Sequence, residues 1–196
     1  MPERFPTMEE FWERLERRGV EPDLAERLRE RTRREAREVW RLPAATTVAV
    51  MERLLPGTIP PQALAAFVDE YFDQQVGVAN ETVGVLPREE LVPLGFARLD
   101  EVARQHHGRP FVDVDGEIQD ALLSEAEQGQ LEGDEGFDSS TWFEFVRFLA
   151  LLGLGSDPRG MVFMGYPGPS YRPGHLWLDE GEVAARVARR RGYLTL

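Results

Sequence analysis

The chain contains no cysteine and no lysine. Without thiols there are no disulfides, no cysteine-held zinc or iron–sulfur centre, no thioether-attached haem and no thiol nucleophile. Without lysine there is no Walker-A phosphate grip, no Schiff base and no pyridoxal anchor. All 23 strongly basic residues are therefore arginines; they face 35 acidic ones, for a formal net charge of −12 at pH 7. That balance argues against a nucleic-acid partner, because phosphate backbones are held by clustered positive charge. Long apolar runs are also missing. The longest, Phe148 to Leu154, is far below the roughly 18 residues of a membrane span, so no direct membrane insertion is expected. The opening Met1-Pro2-Glu3-Arg4-Phe5 leads into charged amphipathic sequence rather than the apolar core of an export signal. Arg17-Arg18 and Arg33-Arg34 are twin arginines in letter only, since neither pair precedes an apolar stretch. As written, the sequence is expected to be that of a cytoplasmic, water-soluble protein.

What is present is a globular composition. The 196 residues are 42% hydrophobic and 10% aromatic, enough for one domain with a small appendage. The fold class read from spacing is all-α: an irregular helical bundle with an N-terminal helical arm and a long Gly/Pro-rich loop near the C-terminus. Met8, Phe11, Trp12 and Leu15 recur at helical spacing, and Gly19 offers a stop. Pro22 opens a second helix whose stripe, Leu24, Leu28, Ala36, Val39 and Trp40, is interrupted by the charged Arg31 to Arg37 block. Residues 1–42 are expected to form this arm and residues 43–196 the helical domain.

Within the domain, Ala44 to Leu55 is expected to bury Val48, Met51, Leu54 and Leu55 and to end at Pro56-Gly57. Pro60-Pro61 starts a helix through Leu64, Phe67, Val68, Tyr71 and Phe72. Residues 76–87 read as a loop, followed by a helix from about Arg88 to His107 with Pro93 inside and Gly108 as a stop. Asp115 or its neighbour caps a helix holding Ile118, Leu122 and Leu123, and Gln128 to Gly136 reads as a polar, mobile loop. Ser139, Ser140 or Thr141 caps the next helix. Its apolar residues, Trp142, Phe145, Val146, Phe148, Leu149 and Leu152, make it the central element. Asp179 to Arg191 read as a short final helix.

The apparent sites mostly dissolve on inspection. Asp113-Val114-Asp115-Gly116 resembles the middle of a calcium loop, but its two end-ligand positions fall on Phe111 and Leu122. His106 and His107 are adjacent, so on a helix they point about 100° apart and do not chelate from one face. Gly153, Gly155 and Gly160 miss the dinucleotide-binding spacing, with Pro158 in the third glycine's place. No metal, no cofactor and no catalytic residue is assigned. Trp142, Phe143, Phe145 and Phe148 read as core packing. Two Gly/Pro-dense segments remain, Ser156-Asp157-Pro158-Arg159-Gly160 and Gly165-Tyr166-Pro167-Gly168-Pro169, expected to follow a defined irregular path rather than a helix. Asp157, Arg159, Tyr166, Pro167, Tyr171, Arg172 and Trp177 are the candidate partner-binding residues, of types enriched at interfaces.

Three blocks in order resemble the gluconate 2-dehydrogenase subunit 3 family. The first is Thr47-Val48-Ala49-Val50-Met51-Glu52-Arg53-Leu54-Leu55-Pro56 with Ala65-Ala66-Phe67-Val68-Asp69. The second is Leu99-Asp100-Glu101-Val102-Ala103, Gly108-Arg109-Pro110-Phe111 and Gln119-Asp120-Ala121-Leu122-Leu123. The third is Trp142 and Phe145, then Ser156-Asp157-Pro158 and Gly165-Tyr166-Pro167-Gly168-Pro169. Arg159 to Met164 is shorter than the family's usual stretch between the Asp-Pro and the Gly-Tyr-Pro-Gly. The resemblance implies a non-catalytic accessory subunit that binds a flavin-dependent sugar or alcohol dehydrogenase of the glucose–methanol–choline oxidoreductase type and assists its maturation or export. The FAD and the redox chemistry would belong to that partner, and co-export with it is the alternative to a cytoplasmic location. Two readings compete: a stand-alone helical enzyme using Asp157, Tyr166, Tyr171, Arg172 and His175, and a structural protein forming a homodimer through residues 1–42.

Overall fold

The computed structural model describes residues 7–17, 20, 22–33, 39–73, 86–133 and 135–165. Every regular element among them is helical, so the all-α reading stands. The elements are α1 (Met8–Arg17), α2 (Pro22–Arg33), α3 (Ala44–Leu54), α4 (Pro61–Asp73), α5 (Arg88–His107), a single 3-10 turn (Phe111–Asp113), α6 (Gly116–Glu127), α7 (Ser139–Ser156) and α8 (Pro158–Phe163). The expected final helix and nearly all of the 76–87 loop lie outside the described residues.

The main core is built around α7, which packs on α4, α5, α6 and α8. Trp142, Val146, Leu149 and Ala150 of α7 are fully buried against Leu64 and Val68 of α4 and Leu91, Phe96 and Leu99 of α5. The α5–α7 contact is fixed by one residue pair: the Trp142 indole lies 2.3 Å from where a Cβ on Gly95 would stand. Trp142 Nε1 donates to the Val92 carbonyl at 3.1 Å. Pro93 itself sits in the second turn of α5 without ending it.

Four local readings need correction. In α3 the fully buried residues are Thr46, Thr47, Val50 and Met51, while Val48, Leu54 and Leu55 are half-buried. Threonine tolerates the inward face here because Thr47 Oγ1 donates to the Pro43 carbonyl at 2.9 Å, which removes most of the cost of burying a hydroxyl. The cap of α7 is Asp138, not the serines or threonine after it: Asp138 Oδ1 accepts from the Thr141 amide at 2.7 Å and from the Ser140 hydroxyl at 2.6 Å. Phe148, expected in the core, is 53% exposed, as the 100° helical step carries it to the outer side of α7 with Leu151. The Gln128–Gly136 segment is anchored rather than free-running: Leu131 is buried in the main core, and Gly136 O accepts from the Leu86 amide at 2.9 Å.

A second, smaller apolar cluster joins the arm to the body. Phe11, Leu15 and Leu28 are buried, with Trp12, Val20 and Leu24 around them and Met161 and Val162 of α8 as the opposing surface. The start of α1 is a reciprocal cap: Thr7 Oγ1 accepts from the Glu10 amide at 3.2 Å and Glu10 Oε2 from the Thr7 amide at 2.9 Å. Arg29 of α2 stacks over the Trp12 ring at 5.2 Å. The aromatic stripe that suggested a homodimer is thus occupied within the chain. Trp40 and Leu42 belong to the main core instead, and the segment is tied down by Asp69 of α4, whose Oδ1 accepts from the Arg41 and Leu42 amides at 2.9 and 2.8 Å.

Candidate functional site

The candidate partner-binding residues divide sharply. Asp157 and Arg159 are described; Tyr166, Pro167, Tyr171, Arg172 and Trp177, and His175 with them, lie outside the described residues. Residues 158–163, expected to be irregular, instead form the short helix α8. The reason is local: Pro158 is the first helical residue, where its missing amide costs nothing, and Asp157 is the cap. Asp157 Oδ1 accepts from the Arg159 amide at 2.8 Å and from Arg159 Nε at 3.0 Å, while Oδ2 accepts from Nη2 at 2.8 Å. The pair is a two-pronged carboxylate–guanidinium contact, nearly closed off from solvent. The tight turn into α8 depends on Gly160, since a Cβ there would stand 2.0 Å from the Leu154 carbonyl oxygen. Gly165 follows with φ +68°, ending the described chain in a left-handed residue that suits glycine.

Asp157 also lines a cavity of about 300 Å³ between α4 and α7. Ile59, Ala63, Phe67, Leu152 and Gly153 supply apolar walls, and Arg31, Glu70, Tyr71, Ser156 and Asp157 supply polar groups. Phe67 and Tyr71 are one helical turn apart on α4, with ring centroids 5.9 Å apart and planes tilted by 31°. Gly153 permits the close approach of α7, because a Cβ there would come within 2.9 Å of the Phe67 ring. Arg31 reaches across from α2 and donates to the Ser156 carbonyl at 3.0 Å. The arm therefore forms one wall of this cavity, and its arginine satisfies a carbonyl in the last turn of α7.

Sequence reasoning placed Asp157 beside a special segment but missed Arg31, Phe67, Glu70 and Tyr71. The Phe67–Tyr71 pair carries the i, i+4 spacing of ordinary core residues, and Arg31 belongs to a charged block that reads as a solvated face. No local signal separates them from those roles.

The other motifs take structural places. Phe111, at the first position of the calcium-like segment, is fully buried, and Asp115 precedes α6 without a side-chain bond to its first turn. His106 and His107 are exposed at the end of α5, their rings 6.3 Å apart. No group of three or more potential metal-ligating side chains occurs among the described residues. Among the same residues no helix is long and apolar enough to cross a membrane.

The sequence pattern of gluconate 2-dehydrogenase subunit 3 matches residues 43–168. The chain belongs to that family. No curated protein and no solved structure matches it. The family region begins one residue before α3 and runs past α8, so it contains the main core, the Asp157–Arg159 cap and all but one of the cavity residues. The exception is Arg31. Helices α1 and α2 stand outside the matched region of this gluconate 2-dehydrogenase subunit 3 family member, yet they pack on α8, which is inside it.

Proposed function

We propose that the chain is a non-catalytic accessory subunit of a dehydrogenase complex, binding a flavin-dependent sugar or alcohol dehydrogenase of the glucose–methanol–choline type and assisting its maturation or export. The observation that carries this reading is the family match over residues 43–168. Surface chemistry within that region supports it: Phe148 and Leu151 are about half exposed one turn apart on α7, and Phe163 and Met164 are comparably exposed at the end of α8. Solvent-facing apolar side chains of this size are suited to a partner's surface. In this reading Asp157 and Arg159 act by holding α8 in place, and Tyr166, Pro167, Tyr171, Arg172 and Trp177 complete the contact. FAD belongs to the partner, and the chain reaches the cell envelope, if at all, in the partner's company.

The test is co-expression with any flavoprotein dehydrogenase encoded beside it, followed by affinity capture and size-exclusion chromatography. A stoichiometric complex is expected, together with a larger flavin-loaded fraction of the dehydrogenase than when it is made alone. Phe148→Asp with Leu151→Asp should weaken capture, whereas Glu144→Ala on the same helix should not. Full capture by the double variant would remove α7 from the interface, and failure of every neighbouring flavoprotein to associate would overturn the reading.

A further inference from the structure

The cavity between α4 and α7 has a polarity that points to one kind of ligand. Its acidic residues are not without partners. Both oxygens of Asp157 are taken by Arg159, and Glu70 is not a free group. Its donors are not used up. Arg31 makes no ion pair among the described residues, and its one bond is to the neutral Ser156 carbonyl. A guanidinium carries five N–H donors, so most of its capacity remains. The Tyr71 hydroxyl has no hydrogen-bond partner among the described residues, although its ring is held against Phe67. What Arg31 lacks among the described residues is a negatively charged acceptor.

Behind these donors the walls are apolar, with two aromatic rings on one side and the bare backbone of Gly153 on another. The volume of about 300 Å³ lies at the small end of the roughly 300–1,000 Å³ found for ligand pockets. We infer that the cavity is a binding site for a small free carboxylic acid with an aryl or short alkyl body, its carboxylate held by Arg31 and the Tyr71 hydroxyl and its body lying between Phe67 and Leu152. Arginine is suited to this because its planar fork matches a carboxylate in two prongs. The inference stands apart from the partner reading. It also gives the arm a role, since α2 brings the cation to a cavity otherwise built by the family region.

The experiment titrates the purified full chain with 3-phenylpropionate and, as matched probes, 3-phenylpropan-1-ol and 3-phenylpropylamine, followed by calorimetry and ligand-observed NMR. Saturable binding of the acid with Kd below about 1 mM is expected, with the alcohol and the amine each at least about tenfold weaker. Arg31→Gln, a change at an exposed position, should raise Kd for the acid by about tenfold or more while leaving the circular dichroism unchanged. Ala63→Leu, which fills the cavity, should abolish binding. The inference is overturned if the amine binds as well as the acid, if Arg31→Gln binds normally, or if none of the three probes saturates. Glycyl-phenylalanine serves as a last arm. Should it bind about tenfold tighter than the acid, the natural occupant is a polypeptide C-terminus and the small-acid assignment is wrong.

Discussion

The Trp142 indole occupies the space that a side chain on Gly95 would need: a Cβ there would stand 2.3 Å from the ring, far inside van der Waals contact. This pair sets how closely α5 and α7 approach, and the Trp142 N–H to Val92 carbonyl bond sets their register. Gly95→Ala should therefore destabilise the protein by about 1–3 kcal/mol through overpacking, against less than about 1 kcal/mol gained in helix propensity. Urea denaturation measures it. A variant as stable as the parent would mean that α5 shifts freely along α7.

Asp138 is expected to be the most informative surface carboxylate. The Ser140 hydroxyl and the Thr141 amide hold its carboxyl below the ordinary value of 3.8. Because the folded-state pKa is lowered, the contribution is complete above the unfolded value and is lost as pH falls through the folded one. Asp138→Ala should cost about 1 kcal/mol at neutral pH, and the difference from the parent should vanish as acidification carries the pH below the lowered folded-state value. A gap that persists unchanged at low pH would assign the loss to packing rather than to the cap.

Arg53 and Asp120 join α3 to α6 in a two-pronged contact, one bond of which, Nε to Oδ1, is 2.6 Å. The Arg53 hydrogen bond holds the Asp120 carboxyl below its ordinary value. Both side chains are substantially exposed, so solvent screens the pair. A double-mutant cycle with Arg53→Ala and Asp120→Ala should give only about 0.2–1 kcal/mol, shrinking with added salt. A coupling of several kcal/mol would show the contact to be far drier than its exposure implies.

Asp157→Ala removes the cap of α8 and the carboxylate that the Arg159 guanidinium grips. Since α8 presents Met161 and Val162 to the arm, the damage should spread: trypsin is expected to cleave within α1 and α2 several-fold faster, with little change in the main core. Proteolysis followed by mass spectrometry locates the cuts. Equal acceleration everywhere would mean that the variant unfolds globally.

The arm itself should be removable. Deleting residues 1–39 keeps Trp40 and Leu42, which belong to the main core, and should leave a cooperative unfolding transition with a lower midpoint. Loss of cooperativity would make Phe11 and Leu15 part of one indivisible core with α7.

Much of the helix order was legible because its signals are local. Pro61, Gly108 and the Met8–Leu15 spacing act within a turn or two of themselves, and α1, α4 and α5 follow them closely. Phe148 was misread because hydrophobicity reports the tendency to leave water, not which side of a helix finds a neighbour. The cap at Asp138 was obscured by the Ser139-Ser140-Thr141 run, where every residue is able to cap and only backbone geometry chooses. The segment after Ser156 looked irregular from its glycines and prolines, yet Asp157-Pro158 is also a way to begin a helix. The cavity was beyond reach for a different reason: Arg31 and Ser156 are 125 residues apart, and nothing local to either marks the meeting.

That separation has a consequence for the newly made chain. Translation at roughly 5–20 residues per second puts about 6 to 25 seconds between the appearance of Arg31 and of Ser156. Through that interval α1 and α2 exist, but the helix that covers Phe11, Leu15 and Leu28 has not yet been made. This early-made stretch is thus among the last to find its seat.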